Sequence, residues 1–349
     1  MVLLFLTSGL FLGWTLGAND AANIFGTAVA TRMVKFRLAA IVCAVFVVVG
    51  AVVSGSGATE TLGDLGAVNA LGGSFMVALA AALSVLWMTR AGLPVSVSQA
   101  IIGGILGWNF FTGSPTDVRA LLEIVSTWIV CPILAAVLAA TFFALARGVL
   151  KRARMHILEL DAWTRTLLIA AGAFGAYALG ANNVANVIGV FVPAFSHTSF
   201  ELLGPFRLSM EQALFVLGGV AIASGVWYSR RVMMTVGKDL FRLTPVTALV
   251  VVLSHSIVLF LFASKALETW LAAHGLPTIP LVPVSSSQAI IGAVMGVALI
   301  KGGRNVRFGL LGRVASSWVA TPVIAAIVSF LGLFFLQNVF GVVVVSPVR

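Results

Sequence analysis

Charged residues are scarce in this 349-residue chain and make up 9% of it, whereas a soluble domain carries roughly 25%. Hydrophobic residues reach 60%, so polar side chains cannot cover a water-soluble globule, and lipid must solvate much of the protein. Cysteine is nearly absent, and the two present, Cys43 and Cys131, fall inside apolar runs. They indicate small buried side chains, and we infer neither a disulfide nor a metal site from them.

Acidic residues are rarer than basic ones, with 11 Asp and Glu against 21 Lys and Arg. An excess of basic residues can indicate a nucleic-acid partner. Here those residues stand in short loops between apolar runs, which is the topology signal of membrane proteins. No spacing of His, Cys and acids suits a metal centre, and no pair of nucleophile and base is readable. The sequence therefore favours neither a nucleic-acid-binding protein nor an enzyme, and it requires no cofactor.

Apolar runs of about 20 residues, the length that crosses a membrane, recur along the whole chain. The first begins at residue 2 without a basic segment before it, which favours a membrane span over a signal peptide. The predicted spans are roughly 2–30, 38–55, 72–89, 94–111, 120–146, 163–195, 210–228, 244–264, 283–300 and 311–337.

Two motifs occur twice, in the same order. The first string, residues 17–23, reads GANDAAN, and the second string, residues 180–186, reads GANNVAN. The segment PVSVSQAIIG at 94–103 recurs as PVSSSQAIIG at 283–292. Matches in register predict two copies of one unit, with the working site where they meet. The predicted parts are a first repeat at 1–146, a cytoplasmic linker at 147–162 and a second repeat at 163–349.

Equivalent loops of the two copies differ in charge. Loop 31–37 has three bases and no acid, whereas its counterpart 196–209 has one of each. Loop 56–71 has two acids and no base, whereas its counterpart 229–243 has four bases. Because Lys and Arg favour the cytoplasmic side, the copies are predicted to have inverted topology, with both termini outside.

Asp20 is the one carboxylate well inside an apolar run. Burying it is costly unless it is paired or protonated, and the second string offers no Lys or Arg. We therefore expect a mobile cation, Na⁺ or H⁺, as its partner, with Asn183 as its neutral counterpart. The alternative is a local helix cap, a role that a neutral Asn would fill equally well.

Amides surround Asp20 and its counterpart. With the neighbouring glycines they predict that the helix breaks in each string and exposes backbone groups for an anion and for Na⁺. The alternative is helix packing through small residues, with Asn bonding between helices. The amide residues are Asn19, Asn23, Asn182, Asn183 and Asn186.

The repeated Pro-Val-Ser segments place Pro and Ser at the start of an apolar helix. Their hydroxyls, amides and free N–H groups together suit a tetrahedral oxyanion, with ordinary helix capping as the alternative. The candidate residues are Ser96, Ser98, Gln99, Ser285, Ser286, Ser287 and Gln288.

His255 stands alone in the apolar run 244–264. A buried histidine there could relay protons. More often, such a residue simply bonds a neighbouring helix, and we do not include it in the predicted site.

The paired strings and Pro-Val-Ser segments resemble the inorganic phosphate transporter family over nearly the whole chain. The resemblance implies an all-α integral membrane protein of two inverted-topology repeats with broken helices and re-entrant or hairpin segments. It also implies a homodimer that moves phosphate with a cation. By position, the Asn and Asp residues of both strings would line the central site, and the Ser and Gln residues above would complete the cage.

The chain departs from the family pattern in two places. The family usually has Asp in both strings, whereas the second string here has Asn183, and it usually reads PVSTTH where this chain has Gln99 and Gln288 at the last position. A lost carboxylate makes the pocket less negative, which would suit sulfate, an anion that some relatives carry. Hydrogen phosphate, unlike sulfate at neutral pH, can donate a proton to Asp20, and this favours phosphate.

We therefore expect a secondary transporter in the plasma (inner) membrane of a prokaryote. It would import inorganic phosphate by symport with Na⁺ or H⁺ through alternating access of the repeats, with Asp20 as the Na⁺ ligand if sodium is the coupling ion. A sulfate permease of the same fold and a passive anion channel are the alternatives. Uphill accumulation driven by a cation gradient would exclude the channel.

Overall fold

A computed structural model describes residues 2–66, 68–90, 95–152, 155–195, 199–201, 207–235, 243–302 and 308–346. Within these ranges the chain is helical apart from strands β1 (Ser199–Glu201) and β2 (Arg207–Ser209), which pair antiparallel. The predicted all-helical class is confirmed. Several predicted features lie outside the described residues: Pro94, residues 153–154 of the linker, and parts of loops 196–209, 229–243 and 301–313.

The described ranges contain fourteen α-helices, and a 3₁₀ turn at Gly189–Phe191 connects the seventh to the eighth. The helices are α1 (Val2–Ala30), α2 (Phe36–Ser54), α3 (Ser56–Leu65), α4 (Leu71–Arg90), α5 (Val97–Thr112), α6 (Val118–Arg152), α7 (Ile157–Ile188), α8 (Val192–Phe195), α9 (Met210–Val226), α10 (Arg230–Thr235), α11 (Pro245–Leu261), α12 (Lys265–Ala273), α13 (Ser286–Ile300) and α14 (Phe308–Asn338). Each predicted span coincides with one of the longer helices. The short helices α3, α10 and α12 carry no clear signal in the sequence, because they are too short to show a period.

Five of the described helices are long and apolar enough to cross a membrane, or six if α11 and α12, bent by 67° at their junction, form one span. Helices α9 and α13 are shorter but also apolar. Large apolar side chains such as Trp87, Val137 and Ile327 are exposed, as a surface facing lipid requires. The protein is thus a multi-pass membrane protein.

Helices α1 and α7 pass through the first and second strings without interruption, so the expected breaks at these positions are wrong. Backbone groups there stay paired within the helix, which is the state that hydrocarbon favours. The glycines serve close packing instead. A Cβ on Gly17 would collide with the carbonyl of Ile222 in α9, and one on Gly180 with the carbonyl of Val47 in α2.

Helices α1 and α7 pack antiparallel. Gly13 lies against Val187 near one end of the contact, and Gly175 lies against Ile24 near the other. This order brings the two strings to the same level in the molecule. The Asn and Asp side chains of both strings are at most 9% exposed, so they face the protein interior and not lipid.

Two pairs of helices pack reciprocally between the predicted repeats. Gly103 of α5 lies against Pro322 of α14, and Gly292 of α13 lies against Pro132 of α6. A Cβ on either glycine would collide with the carbonyl oxygen of the facing proline. Each copy thus supplies the long proline-containing helix on which a helix of the other copy rests.

Candidate functional site

Helices α5 and α13 both begin deep inside the protein. Ser96 and Ser285 are their N-caps and are 1% and 2% exposed. The Ser96 hydroxyl accepts from the Gln99 N–H at 3.3 Å, and the Ser285 hydroxyl accepts from the Gln288 N–H at 3.2 Å. Each cap leaves other first-turn N–H groups and the positive end of a helix dipole in the interior, an arrangement that attracts anions.

The segments that lead into these two helices are tied to each other. The Ser98 hydroxyl donates to the Val284 carbonyl at 3.1 Å, and the Ser287 hydroxyl donates to the Val95 carbonyl at 2.7 Å. We call this pair the crossed serine bonds. Since Ser98 and Ser287 occupy the same position in the two copies, the bonds are equivalent, and both hydroxyl protons are engaged by the protein itself.

Asn182 of the second string holds the segment that leads into α13. Its Oδ1 accepts from the Val284 N–H at 2.9 Å, and its Nδ2 donates to the Val282 carbonyl at 3.0 Å. Both ends of the amide are therefore used on backbone. Extended backbone buried in a membrane protein needs such partners, and Asn182 supplies them.

Asp20 of the first string is 2% exposed. Its Oδ1 accepts from Asn19 Nδ2 at 3.0 Å and lies 3.5 Å from Asn23 Nδ2. Ion pairs join Arg119 to Glu123, Arg165 to Asp161 and Lys265 to Glu60. None of these three bases pairs with Asp20. Neutral amides offset only part of the desolvation cost of a buried carboxylate. A bound cation or a proton would offset the remaining cost.

The last asparagine of each string bridges to the other copy. Asn23 donates to the Ser286 hydroxyl at 3.0 Å, and Asn186 donates to the Ser98 hydroxyl at 2.9 Å. Asn186 also donates to Asn183 Oδ1 at 3.0 Å, and in the first string Asn23 Nδ2 lies in the equivalent place near Asp20 Oδ1. In both strings the last Asn thus faces the fourth residue, which is Asp20 in one string and Asn183 in the other. The strings differ at the third residue, because Asn19 donates to Asp20 whereas Asn182 bonds backbone.

His255 is the site residue that sequence reasoning left out. It lies in α11, is fully buried, and its Nε2 is 3.0 Å from the Ser286 hydroxyl. The predicted alternative, a bond to a neighbouring helix, is what the structure shows. The only signal in the sequence was a polar side chain inside an apolar run, and nothing there identified Ser286 as its partner.

Several buried polar atoms at this place have no hydrogen-bond partner in the part of the chain that the structure describes. Each belongs to a side chain at most 2% exposed. Such atoms are rare in folded proteins and call for an explanation. A bound ion with both donors and acceptors on its surface would supply their partners. The atoms are Gln99 Oε1, Gln288 Oε1, Asn183 Nδ2 and Asn186 Oδ1.

The structure thus links the strings directly to Ser98, Ser286 and the segment that leads into α13. Gln99 and Gln288 stand one turn into the same buried helices, and among the described contacts their side chains form no hydrogen bond to either string. No cluster of three or more His, Cys, Asp and Glu side chains occurs within the described ranges. The oxygen-rich donor set suits a hard cation such as Na⁺ better than a transition metal.

The sequence profile of the phosphate transporter family matches residues 16–329. The chain belongs to the phosphate transporter family. A Methanocaldococcus jannaschii protein named "Putative phosphate permease" is 27% identical over 323 residues, which cover 92% of this chain and 93% of that protein. The chloroplastic inorganic phosphate transporter 2-1 of Arabidopsis thaliana is 25% identical, over 91% of this chain and 69% of that protein.

A solved structure, that of a protein described as "The sodium-dependent phosphate transporter", has the same fold. Its TM-score is 0.77 at 21% identity, with 97% of this chain and 99% of that chain covered. The resemblance inferred from the strings is therefore confirmed, as is the expectation of a transporter and not an enzyme. Phosphate is the transported substrate that the phosphate transporter family supports.

Proposed function

We propose that the protein is a secondary active transporter that imports inorganic phosphate across the plasma membrane by symport with Na⁺ or H⁺. The observation that carries this proposal is Asp20, a buried carboxylate whose partners among the described residues are amides. It lies within two hydrogen bonds of the N-terminus of α13, through Asn23 and Ser286. A cation that binds Asp20 would cancel its charge and raise the affinity of the adjacent helix ends for an anion.

We place the site where the two predicted repeats meet, because alternating access requires a site at their interface. Asn23 and Asn186 each reach from a string to a helix start in the other copy, and the crossed serine bonds join those starts. A rocking motion of one repeat against the other would expose this level of the molecule first to one side of the membrane and then to the other.

Phosphate is favoured over sulfate by the chemistry of Asp20. Hydrogen phosphate can donate its proton to a carboxylate, whereas sulfate carries no proton at neutral pH and would be repelled by it. Sulfate is the second candidate, because Asn183 replaces a carboxylate and its Nδ2 is a buried donor without a partner among the described residues. A fully ionised oxyanion accepts such a bond well.

Sodium and protons are both compatible with Asp20. The structural relative is described as sodium-dependent, and the oxygens of Asp20, Gln99, Gln288 and Asn186 are of the type that Na⁺ binds. A proton would need only Asp20. We propose Na⁺ as the first ion to test, with Asp20 as its main ligand.

The two repeats (1–146 and 163–349, with the linker 147–162) are proposed to have inverted topology, with both termini outside. Contacts between distant loops support this arrangement. Lys265 Nζ in α12 lies 2.7 Å from Glu60 Oε1 in α3. Asn69 Nδ2 donates to the Ser346 carbonyl at 3.0 Å, so the segment 56–71 meets the C-terminal segment, and both are predicted outside. A homodimer is proposed from the family resemblance, and chemical cross-linking of the protein in membranes tests it.

Uptake into proteoliposomes tests the proposed function. Labelled phosphate and labelled sulfate are supplied in turn, under an imposed Na⁺ gradient, an imposed pH gradient or neither. We expect uphill accumulation of phosphate that requires a cation gradient. Flux that only dissipates the anion gradient would establish a channel, and preferential uptake of sulfate would establish the sulfate permease.

A further inference from the structure

His255 is a buried histidine next to the proposed anion site, and the proposed function gives it no task. We infer that His255 is a positioning residue that aims the Ser286 hydroxyl at the transported anion and thereby sets the affinity for it. The inference rests on the proposed function, because it assigns a task within that same site.

The first step concerns the atoms around Ser286 Oγ. It lies 3.0 Å from Asn23 Nδ2 and 3.0 Å from His255 Nε2. Asn23 Nδ2 also faces the Asp20 carboxylate, which fixes the orientation of the amide, because an ionised carboxylate only accepts. Asn23 therefore donates to Ser286, and the hydroxyl proton of Ser286 must point elsewhere.

The second step concerns the proton of the neutral imidazole. His255 Nδ1 is buried without a partner in the described structure. A proton on Nδ1 would leave a buried N–H donor without a partner, whereas a proton on Nε2 has the Ser286 oxygen as its acceptor and leaves only the Nδ1 lone pair unpaired. The network therefore favours the Nε2–H tautomer. In that tautomer His255 donates to Ser286.

The third step follows from counting hydrogen bonds at one oxygen. A hydroxyl oxygen accepts two bonds and donates one. With Asn23 and His255 both donating, Ser286 Oγ is saturated as an acceptor, and its own proton is left for a third group. No protein acceptor for that proton is found among the described residues, so it is available to an oxyanion at the start of α13.

This arrangement exists in one copy only. Val97 stands in the first copy where Ser286 stands in the second, and α4, which packs beside α5 as α11 packs beside α13, has no ionisable residue before Arg90. The Ser98 hydroxyl, by contrast, donates its proton to the Val284 carbonyl. The aimed hydroxyl thus stands beside Asp20, on the charged side of an asymmetric site, where an extra donor helps to hold an anion near a carboxylate.

A double-mutant cycle on phosphate uptake tests the inference. The variants are His255→Leu, Ser286→Ala and the pair together, with Ser254→Ala as the matched control. Ser254 is buried in the same helix, but its hydroxyl bonds only Val250 of its own helix. We expect each single site variant to raise the KM for phosphate about tenfold, the loss that corresponds to one hydrogen bond. The double variant should be no worse than either, and the control should match the wild type.

Rescue separates positioning from packing and from proton transfer. His255→Gln places an amide N–H near the position of Nε2 and should restore KM to within about twofold of the wild type, whereas His255→Asn is too short to reach Ser286. If His255→Leu fails to fold, comparing the KM of these two variants still tests the inference. Additive effects of the single variants, or a Gln variant no better than the Asn variant, would overturn the inference. Absence of transport by the wild type under every gradient would instead overturn the proposed function.

Discussion

At the scale of single residues, most polar side chains of the site form hydrogen bonds within the protein itself. Asn182 is used twice on backbone, and the hydroxyl protons of Ser98 and Ser287 are used on carbonyls. What remains for a ligand, among the described residues, is a smaller set of unpaired amide atoms, the hydroxyl protons of Ser96, Ser285 and Ser286, and the carboxylate of Asp20. Substitutions in this set should change transport, whereas substitutions among the engaged groups should change stability first.

Asp20→Asn is expected to lower cation-driven phosphate uptake at least ~tenfold while the protein stays folded. The amide keeps the shape of the side chain, and Asn183 already occupies the equivalent place in the second string, next to Asn186. Initial uptake rates under Na⁺ and pH gradients measure the effect, and thermal unfolding in detergent checks the fold. Uptake that keeps its full dependence on the cation would show that Asp20 does not couple transport.

Asn183→Asp is expected to change how uptake depends on cation concentration, because a second buried carboxylate needs its own neutralising ion. It should also reduce any sulfate uptake, since sulfate cannot donate a proton to the new carboxylate. Rates measured across a Na⁺ series and a pH series give the answer. Asn338→Asp, at an exposed position in α14, is the control, and matching behaviour of both variants would remove Asn183 from the site.

At the scale of helices, the sequence predicted where the spans lie but not where the backbone leaves helical geometry. Gly, Asn and Asp in one string suggested a break, because each of them weakens a helix. In the folded protein the glycines instead admit a neighbouring carbonyl, as Gly17 does for Ile222. Composition alone cannot distinguish a glycine that bends a helix from one that lets two helices approach.

Gly292→Ala is expected to destabilise the protein, because its Cβ would collide with the carbonyl of Pro132 in the long helix α6. Overpacking of this kind costs about 1–3 kcal/mol. Gly148→Ala in α6 is the control, since nothing lies within 4 Å of a Cβ there. Thermal unfolding in detergent compares them. Equal unfolding temperatures for both variants would contradict the tight contact between α13 and α6.

At the scale of the whole molecule, repetition was the most informative feature of the sequence. The order of the motifs predicts two copies. Ser98 and Ser287, which match in that prediction, each donate to a carbonyl of the segment that carries the other. The partner atoms of those hydroxyls are backbone carbonyls, which every residue has, so no pattern of side chains could reveal them. The pairing of His255 with Ser286 was not predicted for a related reason. It joins two helices, α11 and α13, and no local sequence pattern shows that they are neighbours.

The predicted orientation of the first repeat can be tested by labelling from one side of the membrane. Lys35→Cys and Glu60→Cys place thiols at exposed positions that are predicted to lie on opposite sides of the membrane, whereas native Cys43 and Cys131 are buried. A membrane-impermeant maleimide added to intact cells should label only the Glu60→Cys variant, and opened vesicles should allow both to react. Labelling of Lys35→Cys in intact cells would reverse the proposed orientation.

The crossed serine bonds also bear on whether either half could exist alone. In each half, a buried carbonyl accepts a hydrogen bond from a serine hydroxyl of the other half. An isolated half would therefore leave that carbonyl without a hydrogen-bond donor inside the membrane. Because the two bonds are equivalent, two identical halves placed face to face could form both of them. A shortened gene encoding one repeat would therefore have to yield a symmetrical pair before any buried cavity could close.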